Sequence, residues 1–476
     1  MRLLATVLAL LIAAAVNATV VDVTPGSLGH GVTIDPAVTD LTLRGEMDGS
    51  DLQYIATRLR ELKRLDLSGV RIAAYNGGER LAANMRTHAA DILPPYSLAG
   101  VPAAEILLPS TITAIGDGAL MSSGITSIAI PETVTSIGNG AFANCKVLVT
   151  LSIPAAVTEA GSHLCKECTA LTNLTFAAAT VPPDAFNGCT ALAEVKFSKA
   201  LEEIGDNAFY ATAIATLDLS ECGSLRVMGA RAFADCLHLT SVTLPDGVST
   251  MGDGVFFGDT KLANVKLPGA LTRLPDMALT GTRLSAEDGE LLPDGLESIG
   301  TLALAHNTEA KTVKFPASLS EIGDYAFEGW TALDSIDASA LRNIPELGEN
   351  VWLAVEQPNV VLTVHGDILD DYKEAPQWKE FNIVGDFGDT SGVDDIISEE
   401  EGKILARFEG MTLHVIAGSG VTSASLYDMA GVRLAALSPG GSTELSIDTS
   451  PWQTRLYILT LTLAPDDKRV ALKIIR

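Results

Sequence analysis

The sequence predicts a parallel β-solenoid of about twelve coils followed by a small all-β domain, and three observations carry that prediction. A phrase of the form I-G-x-x-A-F recurs, as AIGDGAL, SIGNGAF, EIGDNAF, VMGARAF, TMGDGVF and EIGDYAF. A second phrase, L-x-x-L-x-L closed by Pro, alternates with it. Beyond residue 404 the pattern changes to short runs that alternate apolar and polar residues. Aligned on its last apolar residue, the first phrase gives the marks Leu98, Leu120, Phe142, Leu164, Phe186, Phe209, Phe233, Phe256, Leu279, Leu304, Phe327 and Trp352, spaced 22 to 25 residues apart. So constant a beat is the signature of stacked coils, not of separate globular units.

The order of elements within a coil follows from side-chain geometry. In ITSIAIP (Ile125 to Pro131), LVTLSIP (Leu148 to Pro154), LTSVTLP (Leu239 to Pro245) and LANVKLP (Leu262 to Pro268), the last two apolar positions share one face of an extended strand, because strand side chains alternate. Proline stops the strand. At the Ile-Gly turn that follows, Gly116, Gly138, Gly205, Gly229, Gly252, Gly300 and Gly323 are expected to take backbone angles closed to other residues. Alanine fits the tight bend, and the Phe after it turns inward. A lone coil loses more chain entropy than its few buried side chains return, so coils are stable only when neighbours cover their faces.

Strand phrase, Pro, I-G-x-x-A-F and then C-x-x-L together resemble the BspA-like class of leucine-rich repeats found on bacterial surface proteins, over residues 91–355. The resemblance implies a leucine-rich-repeat solenoid with a parallel sheet on one side and a mostly irregular convex side. It also implies adhesion to host protein or to other bacteria. Repeats around Leu164, Leu279 and Leu304 depart from the pattern, and RLSAEDGELLPDGLESIG is expected to bulge or insert a loop.

Both ends of the array read as caps. In residues 19–90, Leu52, Ile55, Leu59 and Leu62 follow Asp48 and Ser50 at helical spacing, and Leu65 and Leu67 at strand spacing. In residues 356–385, a strand and then Leu369, Tyr372, Trp378 and Phe381 around a short helix suffice to close the last coil, whose open edge would otherwise invite aggregation. Residues 386–403 are acidic and poor in apolar groups, hence a linker. Residues 404–476 are expected to form a β-sandwich. There, LYDMAGVRL, LYILTL and the basic last strand resemble the C-terminal sorting domain of the type-nine secretion pathway of Bacteroidetes, with Arg455 where that family usually has Gly. That resemblance implies sorting to, and attachment at, the outer membrane.

Composition narrows the function. A net charge of -27 repels phosphate backbones and anionic lipid, so nucleic acid is not an expected partner. Arg2, the apolar run Leu3 to Val16 and the small residue Ala18 read as a signal peptide (residues 1–18), and no later stretch is long enough to span a bilayer. The first cysteine is Cys145, so no lipid attaches after the cleavage site.

No catalytic set, phosphate loop or dinucleotide fingerprint appears, and no enzyme, cofactor or metal is expected. Cys145, Cys168, Cys189, Cys222 and Cys236 each stand three residues before a Leu and read as fillers in a vertical ladder, with a disulfide between adjacent rungs as the alternative. Cys165 and Cys168 form one C-x-x-C, with His163 beside it, which is weak as a metal motif. Gly116-Asp117-Gly118 and Gly252-Asp253-Gly254 look like calcium turns, but calcium β-rolls need a nine-residue beat.

The residues between the buried strand positions are expected to face outward as a polar strip. Its candidate partner-binding residues are Thr150, Asn173, Thr175, Glu194, Lys196, Thr216, Asp218, Thr243, Asn264, Lys266 and Lys314. A strip of this size suits a protein or peptide ligand. Glycan capture is the alternative, and would use an exposed aromatic such as Tyr210, Phe257 or Trp330.

Overall fold

The computed structural model describes residues 18–76, 87–285, 291–386, 404–409, 411–428, 432–452, 456–464 and 468–475. They divide into two units, Met1–Asp386 and Phe387–Arg476. The expected signal peptide up to residue 17, residues 286–290 of the expected loop, linker residues 387–403 and Arg455 lie outside the described residues.

The first unit is a stack of parallel strands, one row of which can be followed through fifteen coils. Strands β1 (Ala18–Val23), β2 (Asp40–Met47) and β3 (Arg64–Ile72) pair in parallel, and β3 pairs onward with Glu105–Leu107. Next come the sheet from Ser127–Ile128 to Glu194–Phe197, the sheet from Thr216–Asp218 to Asn264–Lys266, and the sheet from Thr312–Lys314 to Asn382–Asp386. A second row of two-residue strands falls on each Ile-Gly turn, as where Ser136–Ile137 lies between Ala114–Ile115 and Glu159–Ala160. The stretches expected as caps therefore contribute strands of their own to the stack.

The N-terminal helix α1 (Gly49–Arg58) forms where its apolar spacing places it. Asp48 caps it in a box with Asp51, and Leu52, Ile55, Leu59 and Leu62 are fully buried beneath it. Asp51 does a second job: its carboxylate accepts from the main-chain N–H of Gly26 and Leu28, both at 2.8 Å, tying the preceding loop to the helix. At the other end α2 (Leu369–Glu374) brings Tyr372 against Trp378, with Phe381 alongside, and these rings cover Trp352.

Inside the coils the marks form a buried column, but one register differs from the sequence alignment. Phe142 N donates to Leu164 O at 2.9 Å and Cys165 N to Ala185 O at 2.7 Å, repeating the step from Leu120 N to Ala141 O. Cys165, not Leu164, therefore occupies the Phe slot of its coil, and Leu164 takes the slot of the preceding Ala. The C-x-x-C is two different positions of one repeat.

The glycines of the Ile-Gly turn also differ in their reason. None of Gly116, Gly138, Gly205, Gly229, Gly252, Gly300 and Gly323 has a left-handed φ. What excludes a side chain is the coil beneath: a Cβ on Gly252 would lie 2.2 Å from Ala230 N, and one on Gly138 2.4 Å from Asp117 N. Left-handed angles occur instead two and six residues later, as at Gly140 and Asn144 (58° and 60°), Asn207 and Ala211 (51° and 56°) and Tyr325 and Gly329 (55° and 75°). The convex bend is all turns, yet it repeats so faithfully that consecutive coils are joined there by their own ladder of main-chain hydrogen bonds.

The second unit is antiparallel. Its long strand Thr412–Tyr427 pairs with Ile404–Glu409 and Ser442–Asp448 along its first half, and with Arg433–Leu437 and Leu456–Leu463 along its second. Leu413, Val415, Leu426, Tyr457, Leu459 and Leu461 share one core; where a sandwich is expected, the described strands form a single antiparallel sheet around the long strand Thr412–Tyr427.

Candidate interface on the concave sheet

Strand pairing fixes the outward residues in rows. Thr150, Asn173 and Glu194 are consecutive rungs, as are Ser152, Thr175 and Lys196. Farther on, Thr216, Ser241 and Asn264 make one row and Asp218, Thr243 and Lys266 the next. All eleven candidates reach solvent; Thr243 alone is half-buried.

Several have local work as well. Glu194 and Lys196 pair at 3.3 Å, and Lys266 pairs with Asp246 at 3.5 Å, in each case between largely exposed side chains whose mutual attraction contributes little. Asp218 accepts from Ser220 N at 3.0 Å and this bond holds its carboxyl below the usual range, so it also shapes the exit from its strand. Asp66 and Asp337 likewise accept from the main-chain N–H of Ser68 and Ser339, at 2.9 and 3.0 Å.

The strip is not continuous. Glu194–Phe197 and Thr216–Asp218 belong to different sheets, and between Asn264–Lys266 and Thr312–Lys314 the only described strands, Arg273–Leu274 and Ser298–Ile299, belong to the second row. At the second break a cleft of about 720 Å³ opens. Lys266 and Lys314 line it with Asp246 and Asp294, over an apolar floor that includes Leu291, Leu292 and Phe315. Two lysines expected as members of the polar strip thus border one concavity. The only sequence sign of it was the departure in RLSAEDGELLPDGLESIG.

The remaining chemical candidates resolve into structure. All six cysteines are free thiols and buried. Cys145, Cys168, Cys189 and Cys236 each donate to the carbonyl of the mark residue one coil earlier, at 3.1 to 3.3 Å. Cys222 is not one of them: it lies between the two strands of its coil and its sulfur is 3.6 Å from Ser198 O. Burial pushes the thiols of Cys165, Cys189, Cys222 and Cys236 upward, Cys236 to about 12. His163 is half-exposed, 3.8 Å from Asp184. Asp117 accepts from Asn139 N at 2.7 Å in the coil above, a rung that Asp206 and Asp324 repeat toward Ala230 and Glu349. Among the described residues no three His, Cys, Asp or Glu side chains are placed to hold a metal ion.

The aromatics named for glycan capture do not form a platform. Trp330 is buried, donating from Nε1 to Leu304 O at 2.6 Å, and Tyr210 and Phe257 are half-buried.

The family model for the BspA type leucine rich repeat region matches residues 92–181, 178–285 and 290–357, more than half of the chain. The chain belongs to the BspA-type leucine-rich repeat family. No curated protein matches it. Among solved structures, a leucine-rich repeat protein from Bacteroides ovatus is 18% identical, covering 77% of this chain and 92% of its own, with a TM-score of 0.49. A leucine rich cell surface protein from Faecalibacterium prausnitzii is 22% identical over 48% of this chain and 84% of its own, TM-score 0.23. The pneumococcal vaccine antigen PcpA is 17% identical over 63% and 83%, TM-score 0.36. The BspA-type array of this chain is thus framed by strands that the family model does not cover, β1 to β3 before it and Val361–His365 and Asn382–Asp386 after it.

Proposed function

We propose that this protein is an exported, non-enzymatic surface protein whose concave strip binds a protein or peptide partner, and whose C-terminal unit sorts or anchors it. The observation that carries the reading is the strip itself. Thr150, Asn173, Thr175, Thr216, Asn264 and Lys314 stand exposed in rows that strand pairing holds rigid, so a partner orders little of the receptor when it docks. A protein partner is favoured over a glycan because the strip has hydroxyls, amides and charges but no aromatic face. The cleft bordered by Lys266 and Lys314 suits an acidic or apolar projection.

Pull-down of matrix and cell-surface proteins, repeated with Lys196, Lys266 and Lys314 changed to Glu, tests this. Retention should fall about tenfold or more, as expected when a charged rim is reversed. Undiminished retention would remove the strip from the proposal.

A further inference from the structure

Among the described residues, the convex ladder is open at its C-terminal end. In each coil three main-chain N–H groups donate to the coil that follows; the last complete set is Tyr325 to Glu349 O (3.0 Å), Phe327 to Val351 O (3.1 Å) and Gly329 to Leu353 O (2.8 Å). The equivalent donors of the next coil are the N–H groups of Asn350, Trp352 and Ala354, and none has an acceptor among the described residues. Gln377, itself at φ 63°, meets only the neighbouring Val351 N–H through Oε1 (2.9 Å) while its Nε2 donates to Gly348 O (2.8 Å). The rung is already shaped: Asn350 and Ala354 hold the left-handed angles, 51° and 62°, of a rung that is filled elsewhere. The three residues line an open cleft of about 730 Å³ with Leu353, which is 47% exposed, and the carboxylates of Glu349 and Glu380. No Lys or Arg lines it.

We propose that this open rung docks an extended peptide of basic character. Three aligned donors call for three aligned acceptors, which the carbonyls of an extended chain supply, as in the addition of a strand to a free edge. Glu349 and Glu380 disfavour an anion as the acceptor and favour ammonium or guanidinium side chains on the incoming chain, in line with the net charge of -27. Leu353 gives one of its apolar side chains a surface to cover. The site is separate from the concave strip.

The test uses the full chain in 0.15 M salt, where unspecific attraction is screened over about 8 Å, and two end-blocked fluorescent octapeptides, one alternating Lys and Val, the other Glu and Val. Binding is read by anisotropy, and amide exchange over residues 349–355 by mass spectrometry. The Lys-Val peptide should bind, slow exchange of the segment about tenfold or more, and bind about tenfold more weakly to Glu349→Lys/Glu380→Lys; reversing Lys196, Lys266 and Lys314 should leave it unchanged. The proposal is overturned by no binding, by binding without protection of this segment, by equal binding to the charge-reversed variant, or by equal binding of the Glu-Val peptide. Self-association that protects the same amides without peptide would overturn it too, by making a second copy the occupant.

Discussion

Two stretches of one array solve the same stacking problem with different chemistry. From Phe186 to Phe256 the marks are aromatic, and successive rings stack with centroids 5.1 to 5.9 Å apart and planes within 21° of parallel. From Leu279 to Leu304 the mark shrinks to Leu, the spacing stretches to 25 residues and the concave row loses a described strand. There a buried amide takes over. Asn307 accepts from Thr282 Oγ1 (2.7 Å) and Leu284 N (3.0 Å) and donates to Leu279 O (3.0 Å) and Leu304 O (2.9 Å). Where hydrocarbon thins, a side chain with every polar atom satisfied specifies the turn instead.

The largest expected effect lies in the aromatic stretch. Phe209 is packed between Phe186 and Phe233, with Phe197 edge-on, and is fully buried. Phe209→Ala should lower stability by about 3–5 kcal/mol, since stacked coils on both sides prevent the cavity from collapsing. Chemical denaturation of the variant measures it; a loss under about 1 kcal/mol would mean that ring stacking does not hold these coils together.

Asn307→Ala should come next, at about 2–4 kcal/mol, because it orphans the buried Leu284 N–H and removes the amide's two donations to Leu279 O and Leu304 O, leaving the Thr282 hydroxyl only its bond to Leu279 O. Its reach should be local: each repeat leans mainly on its nearest neighbours. Amide exchange should quicken between Leu279 and Ala310 while residues 186–256 stay protected. Uniform quickening would deny that the two stretches are held independently.

How much of this was legible follows from which interactions are periodic in the chain. The strand phrase and the Phe are periodic because burial demands one residue class at one place, so the coil, α1 and the outward strip could be read directly. Two features were hidden by degeneracy. A Cys can fill the slot of a Phe, which is why the sequence pattern marks Leu164 where Cys165 holds the position. The left-handed positions are filled by Gly140, Asn207, Arg231 and Tyr325 alike, since main-chain hydrogen bonds enforce the angle whatever the side chain. The turn glycines are required by the closeness of the coil beneath and not by their own backbone angles, and a sequence does not show that closeness. The open rung at Asn350, Trp352 and Ala354 was invisible for the same reason: it is defined by an absent neighbour, not by residue type.

The smallest expected effect is the sharpest comparison of the two stretches, because Asp259 stands in the column of Asn307, three residues after its mark. Its Oδ1 accepts from Cys236 N at 2.7 Å, but Oδ2 is buried without a partner among the described residues. Other residues of the column donate to the mark carbonyl one coil earlier: Cys236 to Phe209, Asn307 to Leu279, Trp330 to Leu304. For Asp259 that carbonyl belongs to Phe233, and a carboxylate has nothing to donate. Burial, with the charge of Asp235 adding to it, pushes Asp259 up to about 9, so at neutral pH it carries the proton that the slot requires. A native value above the ordinary 3.8 means that this proton stabilises the fold fully below about pH 4, and that the stabilisation is lost as pH rises toward 9. Asp259→Asn supplies a permanent N–H and should abolish that loss. Between pH 6 and 7 the unfolding free energy of the wild type, read by chemical denaturation, should fall relative to that of the variant by at most about 1.4 kcal/mol. Parallel profiles would show that the column tolerates an ionised carboxylate, and that a complete set of hydrogen bonds is not what distinguishes Asn307.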